Sequence, residues 1–203
     1  MSSQQRIRDI CVFCGSSTGV QPVYADAASQ LGRLLANRGS RLVYGGGHVG
    51  LMGALADGAL AAGGRVVGVM PQSLIDREIG HKGLTEMHIV KTMHERKALM
   101  VELAGAFIAL PGGHGTLDEF CEVLTWSQLG IHAKPCGILN VERYYDPLLE
   151  MFSRAVEKGF LKPVHRDMVL VDTDAKRLLD RIEAARPRHV AKWDITTEPA
   201  PVP

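Results

Sequence analysis

The sequence predicts an α/β protein, a Rossmann-like doubly wound parallel sheet in three layers, and three observations predict it. Seven short apolar runs punctuate the 203 residues: "IRDICVF", "RLVY", "RVVGVM", "HIV", "AFIAL", "PCGILN" and "MVLV". Strands this continuously apolar are buried on both faces, as in parallel sheets. Longer segments of helical period lie between them, the alternation expected of strand–helix–strand units. Finally, the turns after the first, second and fifth runs, "CGSSTG", "GGGHVG" and "LPGGHGT", are rich in glycine and hydroxyl groups. Ligands of open α/β sheets bind at such turns, outside the carboxyl ends of the strands.

Each helix follows from its spacing. After the first strand, Tyr24, Ala27, Ala28, Leu31, Leu34 and Leu35 recur at helical intervals, and Gly39 is a suitable stop. Further helices are expected near 49–62, 93–104, 116–129, 147–158 and 175–185. One domain over residues 1–185 accounts for these elements. The remainder, 186–203, is a proline-rich tail ending "EPAPVP" and is expected to be loose.

Composition narrows the function classes. The chain is 46% hydrophobic and 22% charged, ordinary for a soluble globular protein. A net charge of +1 gives no broad field for nucleic acid or anionic membrane, so neither is expected as a partner. No apolar stretch approaches the roughly 20 residues of a membrane span, and the start has no secretory pattern. The expected compartment is the cytoplasm. Cys11 and Cys14 form a Cys-x-x-Cys, but inside an apparent strand rather than at a helix start, so the four cysteines read as structural. No cofactor or metal requirement is visible.

Gly45, Gly47 and Gly50 satisfy Gly-x-Gly-x-x-Gly. A dinucleotide site also needs an acidic residue at the end of the next strand, and that strand ends in Met70 and Pro71. Two readings stay open: glycines for close helix packing, or a phosphate or small nucleotide approaching the backbone at Gly45 and Gly46, with Ser16 in the neighbouring turn.

"PGGHGT" makes the stronger anion site. Its glycines let successive N–H groups converge, and the helix that follows offers free N–H groups and a favourable dipole. The Thr116 hydroxyl adds a donor or caps the helix. Along that helix Leu117, Phe120, Cys121 and Leu124 are expected to face the core, with Glu119, Glu122 and Trp126 on another side. Glu119 then stands one turn from an anion-binding end, suited to meeting some other part of the same ligand. In "TMHERKALM", Arg96 shares a stripe with Met93, Met100 and Leu103. It either snorkels to the rim or reaches into a pocket. Lys97 lies about 100° round the helix.

"PGGHGTLDE" with "MHERKALM" resembles the paired Pro-Gly-Gly-x-Gly-Thr-x-x-Glu and Met-x-x-Arg-Lys-x-x-Met motifs of the LOG ("Lonely guy") family. These are cytokinin riboside 5'-monophosphate phosphoribohydrolases, long mislabelled as lysine decarboxylases. The likeness runs from about Ile10 to Phe160 and takes in "FCGSS", "LVYGGGHVGLMG", "GVMP", "TWSQLGIHAKP" and "GILNVERYYDPLL". It implies cleavage of the N-glycosidic bond of a nucleoside 5'-monophosphate, with Arg96 and Glu119 as the pair on which activity depends. It implies a phosphate cradle of Gly112, Gly113, Gly115 and Thr116, and substrate contacts at Glu78, Lys97 and Thr125. His114 fills the variable position of the motif, beside the substrate but with no catalytic role. A homodimer, or an assembly of dimers, is the implied state. The chemistry agrees: a ribosyl–nitrogen bond breaks with oxocarbenium character, which a neighbouring carboxylate stabilises, by analogy with glycoside hydrolases. Alternative readings are a general AMP nucleosidase and a non-catalytic nucleotide sensor. Lysine decarboxylation would need a lysine set up for a Schiff base with pyridoxal phosphate, and none stands out.

Overall fold

The computed structural model describes residues 7–77 and 80–186. Glu78 and residues 187–203, including nearly all of the expected tail, lie outside the described residues. All seven expected strands form: β1 (Asp9–Phe13), β2 (Arg41–Tyr44), β3 (Val66–Pro71), β4 (Glu86–Val90), β5 (Ala106–Ala109), β6 (Cys136–Leu139) and β7 (Val169–Asp172). Helices α1 (Pro22–Asn37), α2 (Gly50–Ala61), α3 (Gln72–Ile75), α4 (Met93–Leu103), α5 (His114–Gln128), α6 (Asp146–Glu157), α7 (Pro163–Arg166) and α8 (Ala175–Ala184) connect them. The two four-residue helices, α3 and α7, are too short for periodicity to reveal.

The sheet is parallel throughout, in the order β4-β3-β2-β1-β5-β6-β7. The chain builds outward from β1 to β4, then returns to the other side of β1. The crevice of a doubly wound sheet opens where the order reverses, here between β1 and β5. Gly15 N–H donates to the Pro111 carbonyl (3.0 Å), joining the turns that follow these two strands.

Strand alternation feeds two cores. Ile10, Val12, Leu42, Tyr44 and Ile108 pack with α1, α2 and α8. Cys11, Phe13, Val43, Val67 and Phe107 pack with α4 and α5 on the opposite face, and partly buried Leu148, Leu149 and Phe152 of α6 join them. Cys11 and Cys14 therefore belong to opposite cores, and burial pushes both thiols well above the ordinary range. The structural reading of that pair follows from its placement.

Helices α1 and α2 meet almost backbone to backbone. A Cβ on Gly32 would run into the Leu55 carbonyl and Ala59 nitrogen, and one on Gly58 into the Ser29 carbonyl. Helix α1 begins at Pro22, and Gly39 (φ +68°) turns the chain after it, as expected. Helix α4 starts where its sequence says it should. Thr92 accepts from Glu95 N–H (3.1 Å), and the Glu95 carboxylate accepts from Lys91 N–H (2.8 Å), a variant of the capping box.

The inner face of α5 differs from expectation. Its buried residues are Thr116, Glu119, Phe120, Val123 and Ser127, whereas Leu117, Cys121 and Leu124 are half-buried. Glu119 thus shares the sheet-facing stripe with Phe120 instead of standing on a separate side. Leu117 and Leu124 are partly buried against the same core as Phe120 and Val123, so the apolar surface of α5 is wider than its innermost stripe, and a helix of that kind hides its true inner face from periodicity.

Candidate active site

Two helices bring the chemistry together. Arg96, in the first turn of α4, and Glu119, in the second turn of α5, are both only 8% exposed. The Arg96 Nη1 lies 2.9 Å from Glu119 Oε1, and its Nε donates to the Val69 carbonyl at 3.0 Å. The guanidinium occupies the hollow left by a missing side chain, because a Cβ on Gly45 would overlap Nη2. Of the two possibilities for Arg96, the structure selects the inward one. Burial pushes the Glu119 carboxyl above the usual carboxylate range, and Arg96 only partly opposes that.

Glu119 therefore combines a reactive setting with a fixed geometry. One oxygen is held by Arg96, and among the described residues the other accepts no hydrogen bond, while the side chain keeps 10% exposure. Carboxylates perturbed by burial and a specific charged partner are common at functional sites.

At the carboxyl edge of the same sheet, the turns after β1 and β5 enclose a cleft of about 300 Å³, lined by Ser16, Ser17, Thr18, Gly112, Gly113 and Tyr144 among others. Gly113 caps α5, and a Cβ on Gly113 or Gly115 would meet no atom within 4 Å. Packing does not require glycine at either place, so what these positions keep clear is the approach to the helix N–H groups. Gly112 is different: a Cβ there would strike the Thr116 side chain and lie 2.8 Å from Gly15 N. Thr116 is 4% exposed, and His114 is the exposed first residue of the helix. The hydroxyls and amides of such a cleft suit an anion. A larger cavity, about 640 Å³, is lined by Arg8, Arg41 and Arg65 at the amino ends of β1 to β3. That is the opposite end of the sheet from the expected ligand edge.

Other expected residues take different places. Gly45 and Gly46 are buried; Gly46 (φ +79°) adopts a left-handed backbone beside Gly68 and Met87. The α2 end of that loop is closed rather than open, since Leu51 N–H donates to the Gly15 carbonyl (3.0 Å) and Gly50 packs on the Ser16 backbone. Lys97 is pinned by Asp118 and Glu122, both at 3.1 Å. Burial lowers its pKa, but the two carboxylates outweigh this and hold its ammonium above the usual lysine value. Thr125 donates to the Cys121 carbonyl (2.8 Å), six residues beyond Glu119, hence about 9 Å further along the axis and on another face. It borders a groove with Leu124, Phe152 and Phe160, so the structure does not bring it to the ion pair. Glu78 lies outside the described residues.

Asp118 and Glu122 were absent from the sequence-based set, although their i, i+4 spacing on α5 marks a face that can grip a cation. Tyr144 lies within the matching stretch "GILNVERYYDPLL", but the direction of its side chain depends on how the segment after β6 turns.

Known proteins resemble this chain both in sequence and in fold. Residues 52–182 match the family model described as "Possible lysine decarboxylase". Two Arabidopsis thaliana proteins, each named cytokinin riboside 5'-monophosphate phosphoribohydrolase, are similar over nearly the whole chain. One is 48% identical, covering 93% of this chain and 89% of its own; the other is 49% identical, covering 91% and 85%. In fold, the chain is similar to a molybdenum cofactor binding protein from Rippkaea orientalis at 22% identity and a TM-score of 0.67, covering 89% of this chain and 98% of that one. At near 50% identity over almost full length, the chain belongs to the LOG family of cytokinin riboside 5'-monophosphate phosphoribohydrolases.

Proposed function

We propose that this chain hydrolyses the N-glycosidic bond of cytokinin riboside 5'-monophosphates, N6-modified forms of AMP, releasing the free base and ribose 5-phosphate. The observation that carries the reading is the buried Arg96–Glu119 pair (2.9 Å) about one helical turn beyond the glycine-rich start of α5. The relatives' names supply the substrate class.

The phosphate docks at the start of α5, against the amides of Gly113, His114 and Gly115 and the Thr116 hydroxyl, with Ser16 opposite. Binding energy from this remote group fixes the ribose. As the bond from C1′ to the base nitrogen lengthens, positive charge grows on the ribose ring. The Glu119 carboxylate stabilises that charge and accepts a proton from the water that attacks C1′. The bonding pair leaves with the base, which takes up a proton. Arg96, fixed by the Val69 carbonyl, orients the carboxylate and favours its ionised form against the opposing effect of burial. Lys97, Glu78 and Thr125 are proposed to act on the substrate less directly; of these, Lys97 is engaged by Asp118 and Glu122 in the free enzyme. Its ammonium, stabilised by two carboxylates, is a poor starting point for the Schiff base that a lysine decarboxylase would form.

We read the active species as a cytoplasmic homodimer. Ile131, Met151 and Phe160 are 65%, 60% and 88% exposed, and a groove of about 230 Å³ lies between α5 and α6, an apolar surface that a second copy suits.

The test is to incubate the purified protein with isopentenyladenosine 5'-monophosphate, AMP and isopentenyladenosine, and to quantify free base and ribose 5-phosphate. Release from monophosphates only, abolished by Glu119→Ala, is the expected result. The rate ratio of the two monophosphates separates a cytokinin-directed enzyme from a general AMP nucleosidase. Nucleotide binding without release would replace the hydrolase with a sensor.

A further inference from the structure

The segment after β6 holds an unusual conformation for a reason that the reaction scheme above leaves unexplained. Glu142 (φ 49°) and Arg143 (φ 59°) are consecutive non-glycine residues in the left-handed region. The left-handed region crowds the Cβ of such residues, so the conformation is strained. The surroundings enforce the turn. Asn140, 5% exposed, donates to Asp146 (2.8 Å) and accepts from Tyr145 N–H (2.8 Å), and the Arg143 Nε donates to Asp146 (2.6 Å).

What the turn delivers is a pair of tyrosines, and both reach the loop that precedes α5. The Tyr145 hydroxyl donates to the Leu110 carbonyl (2.7 Å) and the Tyr144 hydroxyl to the Gly112 carbonyl (2.6 Å). The two differ in one respect. Tyr145 is 2% exposed and belongs to the core, whereas Tyr144 is 44% exposed and its ring forms part of the cleft wall beside Gly112, Gly113 and Ser16. Its ring is braced edge-on by Tyr24 (6.2 Å) and Tyr145 (5.1 Å). Core packing accounts for Tyr145. It does not account for a strained turn that holds a half-exposed ring over a ligand cleft.

We propose that Tyr144 is a substrate-positioning residue, acting on the 5'-phosphoribosyl end of the nucleotide. A peptide group is planar, with its C=O and the following N–H pointing opposite ways. By holding the Gly112 carbonyl, Tyr144 fixes the direction of the Gly113 N–H, the first amide of the anion cradle. The proposal rests on the nucleotide reading of this cleft and adds a residue outside both signature motifs.

The experiment compares wild type with Tyr144→Phe and Tyr145→Phe, each lacking one hydroxyl. Calorimetric titration with AMP, ribose 5-phosphate and adenosine would be paired with steady-state kinetics on the N6-modified monophosphate and with melting curves. For Tyr144→Phe the expected result is about a tenfold loss of affinity for AMP and ribose 5-phosphate. Its KM should rise while kcat changes less than threefold, with adenosine binding and Tm unchanged. Tyr145→Phe should lower Tm without this selectivity for phosphate-bearing ligands. Wild-type affinity for both phosphorylated ligands in Tyr144→Phe, or an equal loss for adenosine, would overturn the inference. If wild type itself bound neither AMP nor ribose 5-phosphate, the nucleotide reading would fall first, and the inference with it.

Discussion

Replacing Glu119 with glutamine should separate catalysis from stability. At about 4 Å between charge centres and an effective dielectric near 20, attraction to Arg96 amounts to about 4 kcal/mol before desolvation is counted. The raised pKa of Glu119 shows that burial outweighs that attraction. An ionised Glu119 is thus held less favourably in the fold than in water. Glutamine removes the attraction and the desolvation together and still offers an oxygen to Arg96, which also keeps its bond to the Val69 carbonyl. The residual cost is a buried guanidinium without a counter-charge. These opposing effects should leave a net change of about 1 kcal/mol, or a Tm shift of roughly 2–4 °C for a chain of this length.

Catalysis has no such compensation. Loss of the charge facing the oxocarbenium ion and of the proton acceptor should reduce kcat/KM at least about 100-fold, equivalent to about 2.7 kcal/mol. The pH dependence adds a sign. A carboxyl whose folded pKa is raised contributes stability below its unfolded pKa and loses it as pH rises through the folded value. Glu119→Gln should therefore compare more favourably with wild type at pH 7 than at pH 4. The acid limb of the wild-type kcat/KM profile should lie above the ordinary glutamate value of about 4.3, and the residual activity of the variant should lack it. Base release by liquid chromatography across pH 4–9, with matched calorimetric melts, makes the measurement. A variant within threefold of wild-type kcat/KM at unchanged Tm would refute the assignment of Glu119.

Three further substitutions test the supporting structure. Gly45→Ala places a methyl group in the space of the Arg96 guanidinium; kcat/KM should fall at least about tenfold, with roughly 1–3 kcal/mol lost in denaturant unfolding from overpacking. Lys97→Met frees α4 from Asp118 and Glu122; a loss of about 1–2 kcal/mol is expected, reduced by high salt, and a double-mutant cycle with Glu122→Gln should show coupling near 1 kcal/mol. Arg143→Gly relaxes a left-handed residue whose ion pair with Asp146 is largely exposed; Tm should rise by about 2–4 °C, a gain of about 1 kcal/mol.

The inner strands were legible in the sequence because they are buried on both faces and so written in apolar letters, as in "ICVF" and "AFIA", whereas the edge strand β4 has no buried residue and shows only as the short run "HIV". The glycine turns and the Arg96 and Glu119 motifs were legible for the same local reason. What stayed hidden was side-chain direction. Arg96 could point in or out until Gly45, some fifty residues earlier and with four elements between, turned out to leave the hollow that receives it. Glu119 was displaced by one stripe because Leu117 and Leu124, partly buried at the edge of the same core, imitate an inner face. Lys97 meets two carboxylates that α5 supplies, and Tyr144 reaches Gly112 across 32 positions of sequence. Each of these contacts joins residues that no local pattern connects.

The glycine seam between α1 and α2 bears on how this enzyme can diverge over generations. Where helices meet backbone to backbone at Gly32 and Gly58, even one added methyl group collides with a carbonyl, so that face is closed to gradual revision. Helix α6, with no fully buried residue, is under no such restriction on the side turned away from the proposed contact with a second copy. Drift among descendants of this sequence should therefore accumulate on the α6 side and spare the seam, making one layer of the molecule an archive of its ancestry and the other a place for novelty.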